Sequence, residues 1–379
     1  MRAPEQHIFS HTLDSLGDWF EAKSLPRFRA KQVLEWVYRK NVVEPGAMTN
    51  LGKRERTLLT DGMVFDSGET LAHQVASDGT QKLLVEWWDG DAPGAPALPV
   101  LGQRAGDPTR QTECVMIPAE SRSSGAVRKT ACVSSQVGCP VGCRFCASGM
   151  GGLDGNLTAG RIVEQVHRLA RLPRVERISN VVFMGMGEPL SNFGAVNDAV
   201  RTMTADWGLG ISARRITIST VGLPKAIEKL ADRFDVPVTL ALSLHATDDA
   251  LRRELIPWAE YSTIEQLLAA CQTWFEKTGR EITLEYTLLR EVNDRPAHAE
   301  RLAELARTMR GNVNLIRYNE VEGVPYRRPL GEDVREFQRI LRERGVNAHI
   351  RASRGRDISA ACGQLRHERA ESPGDPVNI

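Results

Sequence analysis

From about residue 130 onward the chain alternates short β-rich runs with amphipathic helical runs, a pattern that few folds can absorb. TACVSSQV, ISNVVFMG, RITIST, VTLALSL, ITLEYTLL, NVNLIRY and NAHIRAS read as strands. Between them AGRIVEQVHRLARL, TIEQLLAACQTWFEK and AHAERLAELARTMR carry apolar residues at helical spacing. Such repetition is accommodated by a parallel sheet built with right-handed crossovers. An α/β fold, a full or partial TIM-like barrel, is therefore expected, with its site at the C-terminal ends of the strands. Directly after the apolar runs come Cys139, Cys143 and Cys146, then Gly187 and Glu188, Ser219, Ser243 with His245, Asn293, Asn319 and finally Cys362. One polar residue at a strand end means little, whereas a set of them converges on one rim.

The rest of the chain divides by composition. Residues 1–75 read as a small, mostly helical module, with Val33, Leu34, Trp36 and Val37 at roughly helical spacing in RAKQVLEWVYRK. Residues 76–124 form a β linker, in which KLLVEWW and TECVMIP flank a long Gly- and Pro-rich loop at 89–109. A second polar insertion, at 119–128, precedes the strand–helix core of 125–358. A C-terminal segment, 359–379, follows.

No run of about 18 apolar residues suggests a membrane span, and the N-terminus lacks the apolar stretch of a secretory signal. A cytoplasmic protein without a membrane partner is expected. Its seven cysteines, an odd number with three inside eight positions, point to metal or redox chemistry rather than a disulfide framework. With a net charge of +1, any nucleic-acid surface has to be local. Two basic runs qualify: Arg27, Arg29, Lys31, Arg39 and Lys40, and Arg335, Arg339, Arg342, Arg344, Arg351, Arg354 and Arg356. By charge alone each reads first as a solvated helix face.

GCPVGCRFC places Cys139, Cys143 and Cys146 in a Cys-x3-Cys-x2-Cys spacing. Three thiolates on one short loop can hold three irons of a [4Fe-4S] cube and leave the fourth open for a ligand. A Cys3His zinc site is the alternative, and it requires a fourth ligand and commonly paired Cys-x2-Cys halves. MGMGEPL follows the apolar run ISNVVF; its glycines admit a close ligand, and Glu188 offers a carboxylate to an ammonium group. Taken alone, it reads equally as a plain strand-to-helix turn.

CVSSQVGCPVGCRFC, FMGMGEPL, ITIST, SLHA, VND, VNLIRYN and RGRDISAACGQL together resemble, in content and order, the RlmN/Cfr family of radical S-adenosylmethionine (SAM) RNA methyltransferases, and its RlmN branch most closely. The N-terminal module, with MTNL at 48–51, resembles the family's RNA-binding accessory domain. The resemblance implies a partial TIM-like (β/α)6 radical SAM barrel with a small helical N-terminal domain. It implies a [4Fe-4S] cluster on Cys139, Cys143 and Cys146, and SAM bound at Gly187, Glu188, Ser219, Ser243, Leu244, His245 and Asn319. Cys362 matches the cysteine that is itself methylated, Cys132 the second catalytic cysteine and Glu113 a proton acceptor, although the insertion before Cys132 lengthens the alignment there. Cys114 and Cys271 match nothing. Arg317 and Tyr318 stand where many members have other residues.

Adenine C2 and C8 are too weakly nucleophilic to attack the SAM methyl, so a radical route is needed. The resemblance implies two SAM molecules in succession. The first methylates Cys362. The second yields a radical that takes hydrogen from the S-methyl group, which then adds to adenine. Cys132 finally releases the RNA and leaves a transient Cys132–Cys362 disulfide. Implied partners are 23S rRNA, at adenosine 2503 of the peptidyl-transferase centre, tRNA at adenosine 37, and an electron donor such as flavodoxin. The expected enzyme is a monomeric adenine-C2 methyltransferase. Cfr-like C8 methylation is the alternative within the family, and a non-catalytic, metal-bearing RNA-binding module the alternative outside it.

Overall fold

The computed structural model describes residues 2, 4–90, 107–120, 127–233 and 236–365. The strands, in chain order, are β1 (Gly68–Val75), β2 (Gln81–Trp87), β3 (Gln111–Glu120), β4 (Val127–Cys132), β5 (Gln136–Gly138), β6 (Leu153–Asn156), β7 (Asn180–Phe183), β8 (Ile216–Thr220), β9 (Thr239–Ser243), β10 (Ile282–Leu288), β11 (Gly311–Arg317) and β12 (Ala348–Arg351). The helices are α1 (Leu13–Ala22), α2 (Arg29–Lys40), α3 (Lys53–Gly62), α4 (Ala147–Met150), α5 (Ala159–Ala170), α6 (Phe193–Thr204), α7 (Pro224–Arg233), α8 (Asp249–Leu255), α9 (Ile264–Thr278), α10 (Pro296–Ala306) and α11 (Gly331–Glu343).

Ten strands form one open sheet in the order β1-β2-β3-β4-β7-β8-β9-β10-β11-β12. From β4 to β12 every pairing is parallel. Six strand–helix units therefore precede the last strand, as a partial (β/α)6 barrel requires. The parallel register brings Ser243 beside Glu285, and Ile316 beside Arg351, at one end of the sheet. Apolar residues such as Val181, Ile218, Leu240, Leu284 and Leu315 fill the interior behind that rim.

Two segments differ from the sequence reading. Residues 68–75, placed in the helical module, are the edge strand β1, paired antiparallel with β2; the helical part ends at Gly62. TACVSSQV is split into β4 and β5 because Ser134 and Ser135 turn away from the ladder. Their N–H groups donate instead to Gln165 Oε1 and the Met186 carbonyl. Most of the loop at 89–109 and of the insertion at 119–128, and the end of the C-terminal segment, lie outside the described residues.

The helical module packs on α5, and its Ile8, Phe9, Phe20, Val33, Leu34 and Val37 belong to the same core as the barrel. Glu164 locks this junction. Its fully buried carboxylate meets His7 Nε2 at 3.0 Å, Arg168 at 2.7 Å and the Ser67 hydroxyl at 2.6 Å. Burial alone would raise its pKa, but the bonds from His7, Arg168 and Ser67 bring it down to about 2.

Candidate active site

Pairing of β5 with β6 closes the neck of the cysteine loop, and Cys139 N–H donates to the Gly152 carbonyl at 2.7 Å. Gly138 and Gly142 supply the left-handed backbone the loop needs (φ 74° and 68°). Cys139, Cys143 and Cys146 all face one cleft at the C-terminal end of the sheet. Burial pushes the Cys139 thiol up to about 12 and raises Cys143 and Cys146 as well. A bound cation reverses that preference, since coordinated thiols are deprotonated. Among the described residues no three His, Cys, Asp or Glu side chains are grouped to hold a single ion. Ligands to the separate corners of a cube need not converge on a single point. The donor set fits a cluster.

The opposite wall comes from the strand ends. Gly187 approaches the chain so closely (φ 100°) that a Cβ there would lie 2.6 Å from the Gln136 side chain. Glu188, 3% exposed, already has partners: Leu190 N–H donates to Oε1 at 2.9 Å and Val221 N–H to Oε2 at 2.8 Å. Its carboxylate therefore ties the turn after β7 to the turn after β8. Burial raises its pKa against these bonds. Ser219 and Ser243 face each other across neighbouring strands, with hydroxyls 3.4 Å apart.

His245 sits at φ 58°, and Asn293 Nδ2 donates to its carbonyl at 2.8 Å. Thr287 N–H donates to His245 Nδ1 at 3.0 Å, which leaves the ring proton on Nε2. Burial lowers the pKa of this imidazole to about 3, so at neutral pH it is an uncharged donor. Leu244 is fully buried in the core and does not line the cleft.

Cys362 lies where this cleft meets a second, smaller chamber, and it lines both. Its segment is held from three sides. Ala147 N–H donates to the Gly363 carbonyl (2.8 Å), Ser148 Oγ to the Leu365 carbonyl (2.7 Å) and Asn319 Nδ2 to the Cys362 carbonyl (3.3 Å). The first two donors belong to α4, directly after Cys146, so the cysteine loop and the Cys362 segment are one unit. Cys132, 6% exposed, lines the second chamber only and packs against Val115, Met186 and Leu365. Burial pushes its thiol up to about 12, although nearby Arg351 opposes the shift.

Glu113 does not join them. It forms an ion pair with Lys82 (2.7 Å) in a neighbouring polar pocket that also includes Ser359 and Gln364. Cys114 and Cys271 are buried in the apolar core.

Two charged residues not singled out as site residues belong here. Arg351 at the end of β12 lines both chambers and meets Glu285 of β10 at 3.3 Å; Asn314 Nδ2 donates to the other Glu285 oxygen at 2.9 Å. The signal available in sequence was Glu285 itself, a carboxylate inside the apolar run ITLEYTLL that needs a buried partner. The arrangement thus offers three thiols that suit a cluster, polar strand ends beside them, and one thiol at the passage to a second thiol.

Comparison with known proteins agrees with this geometry. Residues 133–306 match the family model of the radical SAM superfamily, and residues 7–64 that of the ribosomal RNA large subunit methyltransferase N-terminal domain. The chain is 42% identical over 369 residues to a probable dual-specificity RNA methyltransferase RlmN of Rhodopirellula baltica, covering 97% of this chain and 92% of that protein. It is 39% identical over 367 residues to the dual-specificity RNA methyltransferase RlmN of Dichelobacter nodosus, covering 95% and 93%. A crystal structure of a radical SAM methyltransferase from Sphaerobacter thermophilus superposes with a TM-score of 0.86 at 41% identity, covering 96% of this chain and all of that one.

Proposed function

Because the chain belongs to the RlmN family of radical SAM RNA methyltransferases, we propose that it methylates C2 of adenosine 2503 in 23S rRNA and of adenosine 37 in tRNA through an S-methyl intermediate on Cys362. The observation that carries this reading is the position of Cys362, which lines the cluster-side cleft and the chamber of Cys132 at once. A methyl carrier has to face its donor and its resolving thiol from one place.

Cys139, Cys143 and Cys146 hold the [4Fe-4S] cluster, and the open polar wall of Gly187, Ser219, Ser243, His245 and Asn319 receives SAM, with Glu188 fixing the two turns that shape it. When bound, the cluster supplies the electron that cleaves SAM to a hydrogen-abstracting radical. Cys362 thiolate attacks the methyl of the first SAM, and S-adenosylhomocysteine leaves. After the methylene carbon has bonded to adenine, the C2 proton would be lost and the unpaired electron would pass back to the cluster site held by Cys139, Cys143 and Cys146, and Cys132 sulfur would then attack Cys362 sulfur. The carbon–sulfur bond would break toward the RNA, the released carbon would take up a proton to become the methyl group, and a disulfide would remain for an external reductant to reopen. Neutral His245 would supply a fixed N–H to the cleft without adding positive charge there. Glu113 is proposed as the acceptor of the C2 proton; its pairing with Lys82 means that it must leave that partner to act.

The proposal includes residues 1–75 as an RNA-binding accessory domain, 76–124 as a β linker, 125–358 as the catalytic core and 359–379 as the carrier segment. It also includes a cytoplasmic, monomeric enzyme reduced by a flavodoxin-like donor; no helix among the described residues is long and apolar enough to cross a membrane. The test is mass spectrometry of nucleosides from 23S rRNA and tRNA incubated with the reconstituted enzyme. The expected product is 2-methyladenosine in both; 8-methyladenosine, or product in rRNA alone, overturns the corresponding part.

A further inference from the structure

The C-terminal basic run divides into two groups in the folded protein. Three arginines on or just after α11 have local partners. Arg339 pairs with Glu336 at 2.6 Å, Arg344 pairs with Glu300 at 2.7 Å, and Arg342 donates to the Ala348 carbonyl at 3.0 Å. Arg351 and Arg354 have carboxylates as well, Glu285 at 3.3 Å and Asp78 at 3.9 Å.

Arg317, Arg328 and Arg356 break the pattern. Arg317 ends β11, Arg328 lies in the loop that follows, and Arg356 comes soon after β12. Arg328 fixes the place of this group. Its Nη1 donates to the Tyr318 carbonyl (2.8 Å) and to Asn319 Oδ1 (3.0 Å), and its Nη2 to Ser353 Oγ (3.4 Å). Tyr318 and Asn319 line the cluster-side cleft, and Ser353 lines the second chamber. None of the three guanidiniums has a carboxylate within ion-pair distance among the described residues, and Arg317 Nε is buried without a hydrogen-bond partner. Burial, then Arg356 and Arg317, lower the pKa of Arg328, while Glu320 acts the other way.

We infer that Arg317, Arg328 and Arg356 form a phosphodiester clamp, which holds the RNA backbone beside the adenosine delivered to Cys362. The inference rests on the RNA substrate proposed above and adds the site that holds its backbone. A base that leaves its stack to reach a recessed carbon brings its own phosphate to the rim of the chamber. Planar guanidiniums match phosphate oxygens in paired hydrogen bonds. Neighbouring guanidiniums without a direct ion pair repel in the free protein, and a phosphate relieves that repulsion.

The experiment uses the full chain with its cluster reconstituted and a labelled RNA hairpin carrying the target adenosine. Arg356→Gln, at an exposed position, and Arg317→Gln are each expected to weaken RNA binding about ten-fold. Each should also make the dependence of log affinity on log salt shallower, by about 0.7 per lost contact. SAM-dependent methylation of Cys362 without RNA should run at the wild-type rate. In the wild type, a neutral methylphosphonate next to the target adenosine should reproduce the loss; in Arg356→Gln it should add nothing further.

Wild-type affinity and salt slope in both variants would overturn the clamp, and so would additive losses from variant and methylphosphonate. Inorganic phosphate competing as strongly as the RNA at constant ionic strength would assign the site to a free anion and overturn it too. A wild-type enzyme that methylates RNA while the variants bind normally removes only the clamp; one that neither binds nor methylates RNA removes the functional reading beneath it.

Discussion

Replacing Glu188 with Gln separates two roles that the sequence leaves superposed. Its carboxylate accepts two backbone N–H bonds, from Leu190 at 2.9 Å and Val221 at 2.8 Å, while the residue is 3% exposed. An amide has only one oxygen, so in Glu188→Gln one buried N–H faces an NH2 group instead. An unmet buried donor costs about 1–3 kcal/mol. With unfolding entropy of about 2 cal/mol/K per residue, this corresponds to a fall of about 1–4 °C in Tm for a chain of this length. The turns after β7 and β8 should separate, and because both line the cleft, SAM affinity should fall with stability. Thermal unfolding and SAM binding are measured on the same preparation, with iron and sulfide content as the control. An unchanged Tm with SAM binding lost would refute this reasoning and assign the carboxylate to the SAM ammonium group alone.

Other substitutions address the cluster and the domain junction. Cys143→Ala should abolish both the brown colour and SAM cleavage, since no spare thiol lies on the loop; full iron and sulfide content in that variant would remove the ligand assignment. Glu164→Gln should cost about 3 kcal/mol at neutral pH, the equivalent of lowering a carboxyl pKa from 4.5 to about 2. A depressed carboxyl pKa stabilises above the unfolded value and is lost as pH falls, so the gap between wild type and variant should close from about pH 4.5 down to 2 in denaturant titrations. A gap that does not change with pH would mean that Glu164 is not ionised in the folded protein.

Much of the fold was legible because a repeated pattern makes each assignment support the next. Strands such as ITLEYTLL and helices such as RAKQVLEWVYRK appear where their periodicity put them. Gly187, Glu188, Ser219, Ser243, His245 and Asn319, which the strand-end rule selects, line one cleft, whereas Asn293, also selected, does not line it and instead donates to the His245 carbonyl. What was not legible depends on partners far apart in sequence. β1 is a strand because β2 offers it a ladder, and Glu113 is turned to Lys82 by the register of β2 and β3. Likewise Arg344 and Arg356 look alike in a basic run, yet only Arg344 meets a carboxylate, contributed from α10.

The same dependence on tertiary surroundings distinguishes the two thiols of the proposed mechanism. A thiolate, not a thiol, attacks a methyl group. Burial pushes the Cys132 thiol up to about 12, which disfavours its thiolate at neutral pH, and Cys132 lies outside the cluster-side cleft. Cys362 is half-buried and lines that cleft. Burial thus keeps the resolving thiol from being methylated in place of the carrier. Two outcomes follow. Cys362→Ala should show no methylated cysteine anywhere in the chain by peptide mass spectrometry, rather than methylation transferred to Cys132, and no RNA product. Cys132→Ala should still methylate Cys362 but accumulate a covalent protein–RNA adduct on a denaturing gel. Methyl-Cys132 in the first variant would show that burial does not protect this thiol. Turnover without adduct in the second would mean that a thiol other than Cys132 frees the RNA.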